Sequence, residues 1–145
     1  MNRTPSQTVG PYYAIGICRR AENELDRGGL ELTGELIDGQ GEPITDGLIE
    51  LWDPAGGRWG RSGTHPAGRF RFIVPRDCDV LEVFVFARGL LRHQRTRIYL
   101  REVEDEVLAG LSLEQRATLQ AAAVGGGLRF DIHMQGERQT VFFAH

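Results

Sequence analysis

Short alternating runs separated by turn-rich stretches predict a mainly β fold, a two-sheet β-sandwich with one or two short peripheral helices. Three observations carry this expectation. Leu30, Leu32 and Leu36 alternate with Glu31, Thr33 and Glu35. Phe70, Phe72 and Val74 alternate within RFRFIV, and the 19 glycines of the 145-residue chain fall between apolar runs as turn punctuation does in β proteins.

Taken in order, residues 1–17 show no period; TPSQTVGPYYAIG, with two prolines and two glycines, suits an extended arm better than a strand or helix. The run from Leu30 reads as a half-buried strand ending at Asp38-Gly39, and GLIELW (47–52) reads as its antiparallel partner across a long loop rich in Gly, Pro and Asp. Residues 53–68 are polar and glycine-rich and read as a loop, and 69–74 form the clearest strand. Residues 80–87 are almost continuously apolar, broken only by Glu82, as in a mid-sheet strand covered on both faces. Another short strand is expected over 96–100. SLEQ at 112–115 spells a capping box and predicts a helix through RATLQAAAV, stopped by the glycines at 125–127. Leu128, Phe130, Ile132 and Met134 then alternate into a late strand, with 140–143 pairing behind it. No repeat or low-complexity segment divides the chain, so residues 1–145 are expected to form a single domain with 1–17 as an N-terminal interface arm.

Composition narrows the function. A formal net charge of -3 without a basic run offers no footprint for a phosphate backbone, so no nucleic-acid partner is expected. With no stretch of 18 apolar residues and no apolar leader, the expectation is a cytoplasmic protein with no membrane partner. Cys18 and Cys78 are too few for a disulfide framework or a zinc site and read as reduced, buried thiols. His65, His93, His133 and His145 are scattered, and none stands two or four positions from another as metal-binding pairs do. Trp52 reads as core or interface, and Tyr13 and Tyr99 read as structural. Glu82, a charge inside an apolar strand, is expected to meet an arginine, because an unpaired buried carboxylate is costly.

Five segments, in this order, then become recognisable: TPSQTVGPYY, IELWDP, GRFRF, VFVFARGLLRHQRTRIYL and RFDIHMQGERQTVFF. Together they resemble the alpha subunits of intradiol ring-cleavage dioxygenases of the protocatechuate 3,4-dioxygenase kind. The resemblance covers residues 4–143. It implies a sandwich of the intradiol dioxygenase type and pairing with a beta subunit that carries Fe(III). It also implies insertion of both atoms of dioxygen between the hydroxyl-bearing carbons of a catechol, within aromatic catabolism. Iron in such sites is held by two tyrosines and a His-x-His pair. The histidine positions align here with Val80 and Glu82, and no tyrosine occurs between Tyr13 and Tyr99. The resemblance therefore implies a subunit that binds no metal or cofactor, contributes no catalytic residue, and is inactive alone.

What such an alpha subunit contributes is its arm and the arginine of FARG, which the resemblance sets along the partner's substrate channel. Carried over, these are Thr8, Gly10, Pro11, Tyr12 and Arg88 as substrate-binding residues for an aromatic small molecule at the shared interface. Glycine and proline let backbone pass close to a flat ligand, and a guanidinium can bind a benzoate-type carboxylate through two parallel hydrogen bonds. Residues 8–12 could equally pack on a partner without touching a ligand, and Arg88 could form an ordinary strand-end salt bridge. For the whole chain, the alternative is a stand-alone, non-catalytic β-sandwich serving as a binding or interaction module.

Overall fold

The computed structural model describes residues 3–144. In chain order these residues form α1 (Tyr13–Ile17), β1 (Leu30–Ile37), β2 (Leu48–Asp53), β3 (Arg58–Gly63), β4 (Arg69–Val74), β5 (Val80–Phe86) and β6 (Gln94–Tyr99). There follow α2 (Glu106–Ala109), α3 (Leu113–Ala117), β7 (Ala122–Val124), β8 (Gly127–Arg129) and β9 (Ile132–His133). One sheet has the order β4-β1-β8-β7 with β9 also on β1, and the other the order β3-β2-β5-β6. The mainly β, two-sheet fold matches the class expected from the sequence, with three short helices among the described residues where one or two were expected.

Alternation decides what faces inward. Leu32, Leu36, Phe70, Phe72, Phe130 and Ile132 of the first sheet pack in one buried cluster with Ile49, Leu51, Leu81, Val83, Val85 and Ile98 of the second. Each such side chain removed from water contributes about 1.5–3 kcal/mol. A smaller cluster of Tyr99, Leu108 and Leu119 lies beside β6.

Several elements differ from their sequence expectations, each for a local reason. The runs at 30–36 and 47–52 are not hairpin partners. They lie in different sheets, β1 pairing antiparallel with β4, and β2 with β3 and β5. The long loop is a crossover, fixed where the Thr64 hydroxyl donates to the Ile44 carbonyl at 2.7 Å and accepts from the Gly47 amide at 2.9 Å. The stretch 53–68, read as loop, contains β3, whose weak strand sequence RWGRSG is held through cross-strand pairs with β2: Asp53 with Arg58, Trp52 with Trp59, and Glu50 with Arg61.

The helix α3 has the expected capping box, Ser112 and Gln115 bonding reciprocally, but it ends at Ala117 instead of reaching the glycines. The free edge of β6 captures residues 119–121: the Tyr99 amide donates to the Leu119 carbonyl and the Ala121 amide to the Tyr99 carbonyl, both at 2.9 Å. Residues 122–129 then form a tight hairpin, β7 to β8, around Gly125 and Gly126, which take φ of +57° and +84°. The late run keeps one parallel register along β1, Leu32 opposite Leu128 and Leu36 opposite Ile132. It breaks in the middle because the Asp131 carboxylate, 2.9 Å from the Glu35 amide, replaces a ladder carbonyl. Gly34 is required there, since a β-carbon on it would collide with the Phe130 carbonyl. Residues 140–143 do not form a strand; the Thr140 amide donates to the His133 carbonyl at 3.0 Å, and Phe143 bridges to Arg95 of β6.

Three further corrections concern the face that carries the site. β5 is central in its sheet, as expected, but its outward residues Glu82, Phe84 and Phe86 are only half-buried. Trp52 is not in the core; it lies on the same outer face, 37% exposed. The arm is not wholly extended, because Tyr13–Ile17 coil into α1, whose buried Ala14 packs over Gly63 at the edge of this face. Cys78 is buried and Cys18 half-buried, both as free thiols.

Candidate functional site at the arm and the turn after β5

The turn that follows β5, residues 87–89, is a tight reversal in which Gly89 takes φ +87°. It carries Arg88. The arm crosses this turn, and Thr8 fastens the two: the Gly89 amide donates to the Thr8 hydroxyl at 2.8 Å, and that hydroxyl lies 3.4 Å from the Ala87 carbonyl. Two regions singled out in the sequence, the arm and the FARG turn, therefore meet. Between arm and turn is an aromatic-walled cavity of about 320 Å³, bordered by Val9, Tyr13, Phe86, Leu90, Leu91 and His93. The Tyr13 and His93 rings flank Phe86, with centroids 6.1 Å and 5.3 Å away.

Gly10, Pro11 and Tyr12 lead into α1, with the Gly10 carbonyl accepting from the Tyr13 amide at 3.1 Å and the Tyr12 carbonyl from the Gly16 amide at 2.8 Å. All three are exposed, Tyr12 at 78%. A β-carbon at Gly10 would meet nothing within 4 Å, so this chain itself imposes no demand for glycine there.

Arg88 is held by a residue that nothing in the sequence singles out. Its Nε lies 2.8 Å from Asp46 Oδ2, in the loop entering β2. Arg88 is 62% exposed in its side chain and Asp46 19%. The sequence around Asp46, PITDG, signals only a turn; nothing in it points to Arg88, because the contact depends on β2 and β5 being neighbours.

A second polar centre occupies the positions where the resemblance looks for metal-binding histidines. Glu82 stands opposite Arg97 in the β5–β6 register, with 3.7 Å between Oε1 and Nη2, so Glu82 meets an arginine as expected. Arg97 also lies 3.5 Å from Asp105, whose carboxylate accepts from the Tyr99 hydroxyl at 2.8 Å and from the Leu108 amide as the N-cap of α2. Burial raises the Asp105 pKa, but the Leu108 amide, the Tyr99 hydroxyl and Arg97 outweigh it and hold the carboxyl below its usual range. Burial, and then the bond to Asp105, pushes the Tyr99 phenol up, away from the phenolate a metal would need.

These residues do not fit a ferric site. A metal ion beside Glu82 would face the Arg97 guanidinium, and Tyr99, opposite Val80, is committed to Asp105. Among the described residues, no group of three or more His, Cys, Asp and Glu is arranged to hold a metal ion. No described helix is long and apolar enough to cross a membrane.

No protein-family model matches the chain. Among curated proteins, it is 31% identical to a protocatechuate 3,4-dioxygenase alpha chain from Burkholderia cepacia, over 99% of this chain and 98% of that one. It is 30% identical to the alpha chain of the same name from Pseudomonas putida, over 97% and 95%. The Burkholderia alignment spans 192 positions against 145 residues here, so this chain is the shorter. Among solved structures, the dioxygenase domain of a dioxygenase and carbohydrate-binding protein fusion from Streptomyces sp. SirexAA-E superposes with a TM-score of 0.57 at 22% identity. That match covers 93% of this chain and 99% of that one, a likeness of fold. With this sandwich and that identity over nearly its whole length, the chain belongs to the family of protocatechuate 3,4-dioxygenase alpha chains.

Proposed function

We propose that this chain is the non-iron subunit of a two-chain protocatechuate 3,4-dioxygenase. A beta subunit would bring Fe(III), and the assembled enzyme would cleave a carboxylated catechol between its hydroxyl-bearing carbons. In this reading residues 1–145 act as one cytoplasmic domain, residues 1–17 are an interface arm, and neither nucleic acid nor membrane is a partner. Thr8, Gly10, Pro11, Tyr12 and Arg88 border the partner's substrate channel, with Arg88 receiving the ring carboxylate.

The observation that carries the reading is the Thr8 hydroxyl bound to the Gly89 amide, because it joins arm and arginine-bearing turn into one surface. The exposed Tyr12, Ile15 and Leu91 give the arm and turn apolar area, as a protein interface requires. The Glu82–Arg97 pair supports the other half: a chain whose would-be metal pocket holds its own cation depends on a partner for iron.

The test is kinetic. In the assembled complex, Arg88→Ala is expected to raise KM for 3,4-dihydroxybenzoate about tenfold or more while kcat stays close to wild type, because a carboxylate remote from the reacting carbons is bound alike in ground and transition states. An unchanged KM would return Arg88 to the role of a surface ion pair.

A further inference from the structure

We infer that Asp46 and Thr8 are positioning residues for Arg88, which together set its guanidinium for a carboxylate; the inference rests on the substrate-binding role proposed for Arg88. Each holds a different part of the residue. Thr8 fixes the backbone on both sides of position 88, accepting from the Gly89 amide and lying beside the Ala87 carbonyl. Asp46 holds the head group as an ion pair, its Oδ2 2.8 Å from Nε. This is the one ion pair that Asp46 or Arg88 makes among the described residues.

The geometry suits two carboxylates on one arginine. A guanidinium offers five N–H donors in a planar fork, and a carboxylate paired with it beside Nε leaves the opposite, end-on pair for a second carboxylate. An arginine that is 62% exposed otherwise samples many rotamers, and ordering it on binding opposes affinity. Asp46 meets that ordering cost in advance. Its charge also works against a second anion, but across an exposed guanidinium that repulsion is screened by water and salt. Preorganisation is the larger effect.

Thr8 acts here through backbone: its hydroxyl accepts from Gly89 and lies within reach of the Ala87 and Val9 carbonyls, at the margin of the channel where it is proposed to lie.

The experiment compares Asp46→Asn, Asp46→Glu, Thr8→Val and Arg88→Ala in the assembled two-chain enzyme, with 3,4-dihydroxybenzoate and unsubstituted catechol as substrates. The readout is the ratio of kcat/KM for the two substrates. Asp46→Asn and Thr8→Val are expected to lower this ratio about threefold to tenfold through KM for the acid, the size of effect an exposed charged contact supports. Asp46→Glu is expected to restore most of it. If Arg88→Ala lowers the ratio but Asp46→Asn and Thr8→Val leave it unchanged, or Asp46→Asn raises it, the positioning role is overturned while the role of Arg88 stands. If Arg88→Ala itself leaves the ratio unchanged, the reading of Arg88 fails, and the positioning role with it.

Discussion

β2 is flanked by two aspartate–arginine pairs, and they differ in nearly everything except chemistry. At its far end Asp53 is fully buried. Arg58 approaches its carboxylate to 2.6 Å, and the Ala55 and Gly56 amides donate to it at 3.1 and 3.0 Å, closing the turn into β3. At the near end Asp46 and Arg88 are 2.8 Å apart, but the arginine side chain is 62% exposed and the pair lies just beyond the last pair of the β2–β5 ladder, Leu48 and Phe86. Burial decides what each pair can do. A buried carboxylate with several donors cannot lose one without leaving others unsatisfied, so the Asp53 centre holds the fold. An exposed pair contributes little to stability and leaves its arginine accessible, so the Asp46 centre is suited to recognition.

The sharpest way to break this contrast is to remove each aspartate and measure unfolding. Asp53→Ala is expected to destabilise the protein by about 2–4 kcal/mol, since it strands two turn amides and removes the buried one of the two carboxylates that hold Arg58. Asp46→Asn is expected to change stability by less than about 1 kcal/mol in denaturant unfolding, while altering substrate preference in the assembled enzyme. Equal losses at the two sites would erase the distinction.

Acid titration sharpens it further. Burial pushes the Asp53 carboxyl up, but the Gly56 amide and Arg58 outweigh it and hold the group below the usual range. A depressed folded-state pKa stabilises the protein fully above the unfolded-state value, about 4, and that stability is lost as pH falls toward the folded value. Asp105 adds to the same slope. Stability followed by circular dichroism should therefore decline below about pH 4, with a shallower decline in Asp53→Ala. A smaller effect concerns Cys78, whose thiol is pushed up to about 11 by burial and by the neighbouring Asp53. It should react more slowly with a thiol reagent at neutral pH than half-buried Cys18.

The two regions also differ in how far the sequence announces them. The inward face of the sandwich is plain in it: Phe70, Phe72 and Val74 alternate and are all buried, and the apolar run at 80–86 is the central strand it reads as. Alternation is a local signal, and burial follows from it. β3 is hidden because its residues hold the sheet through partners on β2 instead of through their own hydrophobicity. The break at Asp131 is hidden because a carboxylate standing in for a backbone carbonyl interrupts no sequence pattern. Of the site, Thr8 and Arg88 are legible through resemblance, but Asp46 is not, since its partner is fixed by which strands become neighbours. That Gly10, Pro11 and Tyr12 lead into a helix is hidden too, since α1 is short and its segment has no helical period.

The central claim, that this chain completes a two-chain dioxygenase rather than acting alone, is tested most directly by co-expressing it with an intradiol beta subunit and purifying through a tag on this chain. The beta subunit is expected to co-purify, the complex to contain iron and show the visible tyrosinate-to-iron absorption, and this chain purified alone to show neither. Recovery of this chain as a stable homo-oligomer that retains no beta subunit would contradict it.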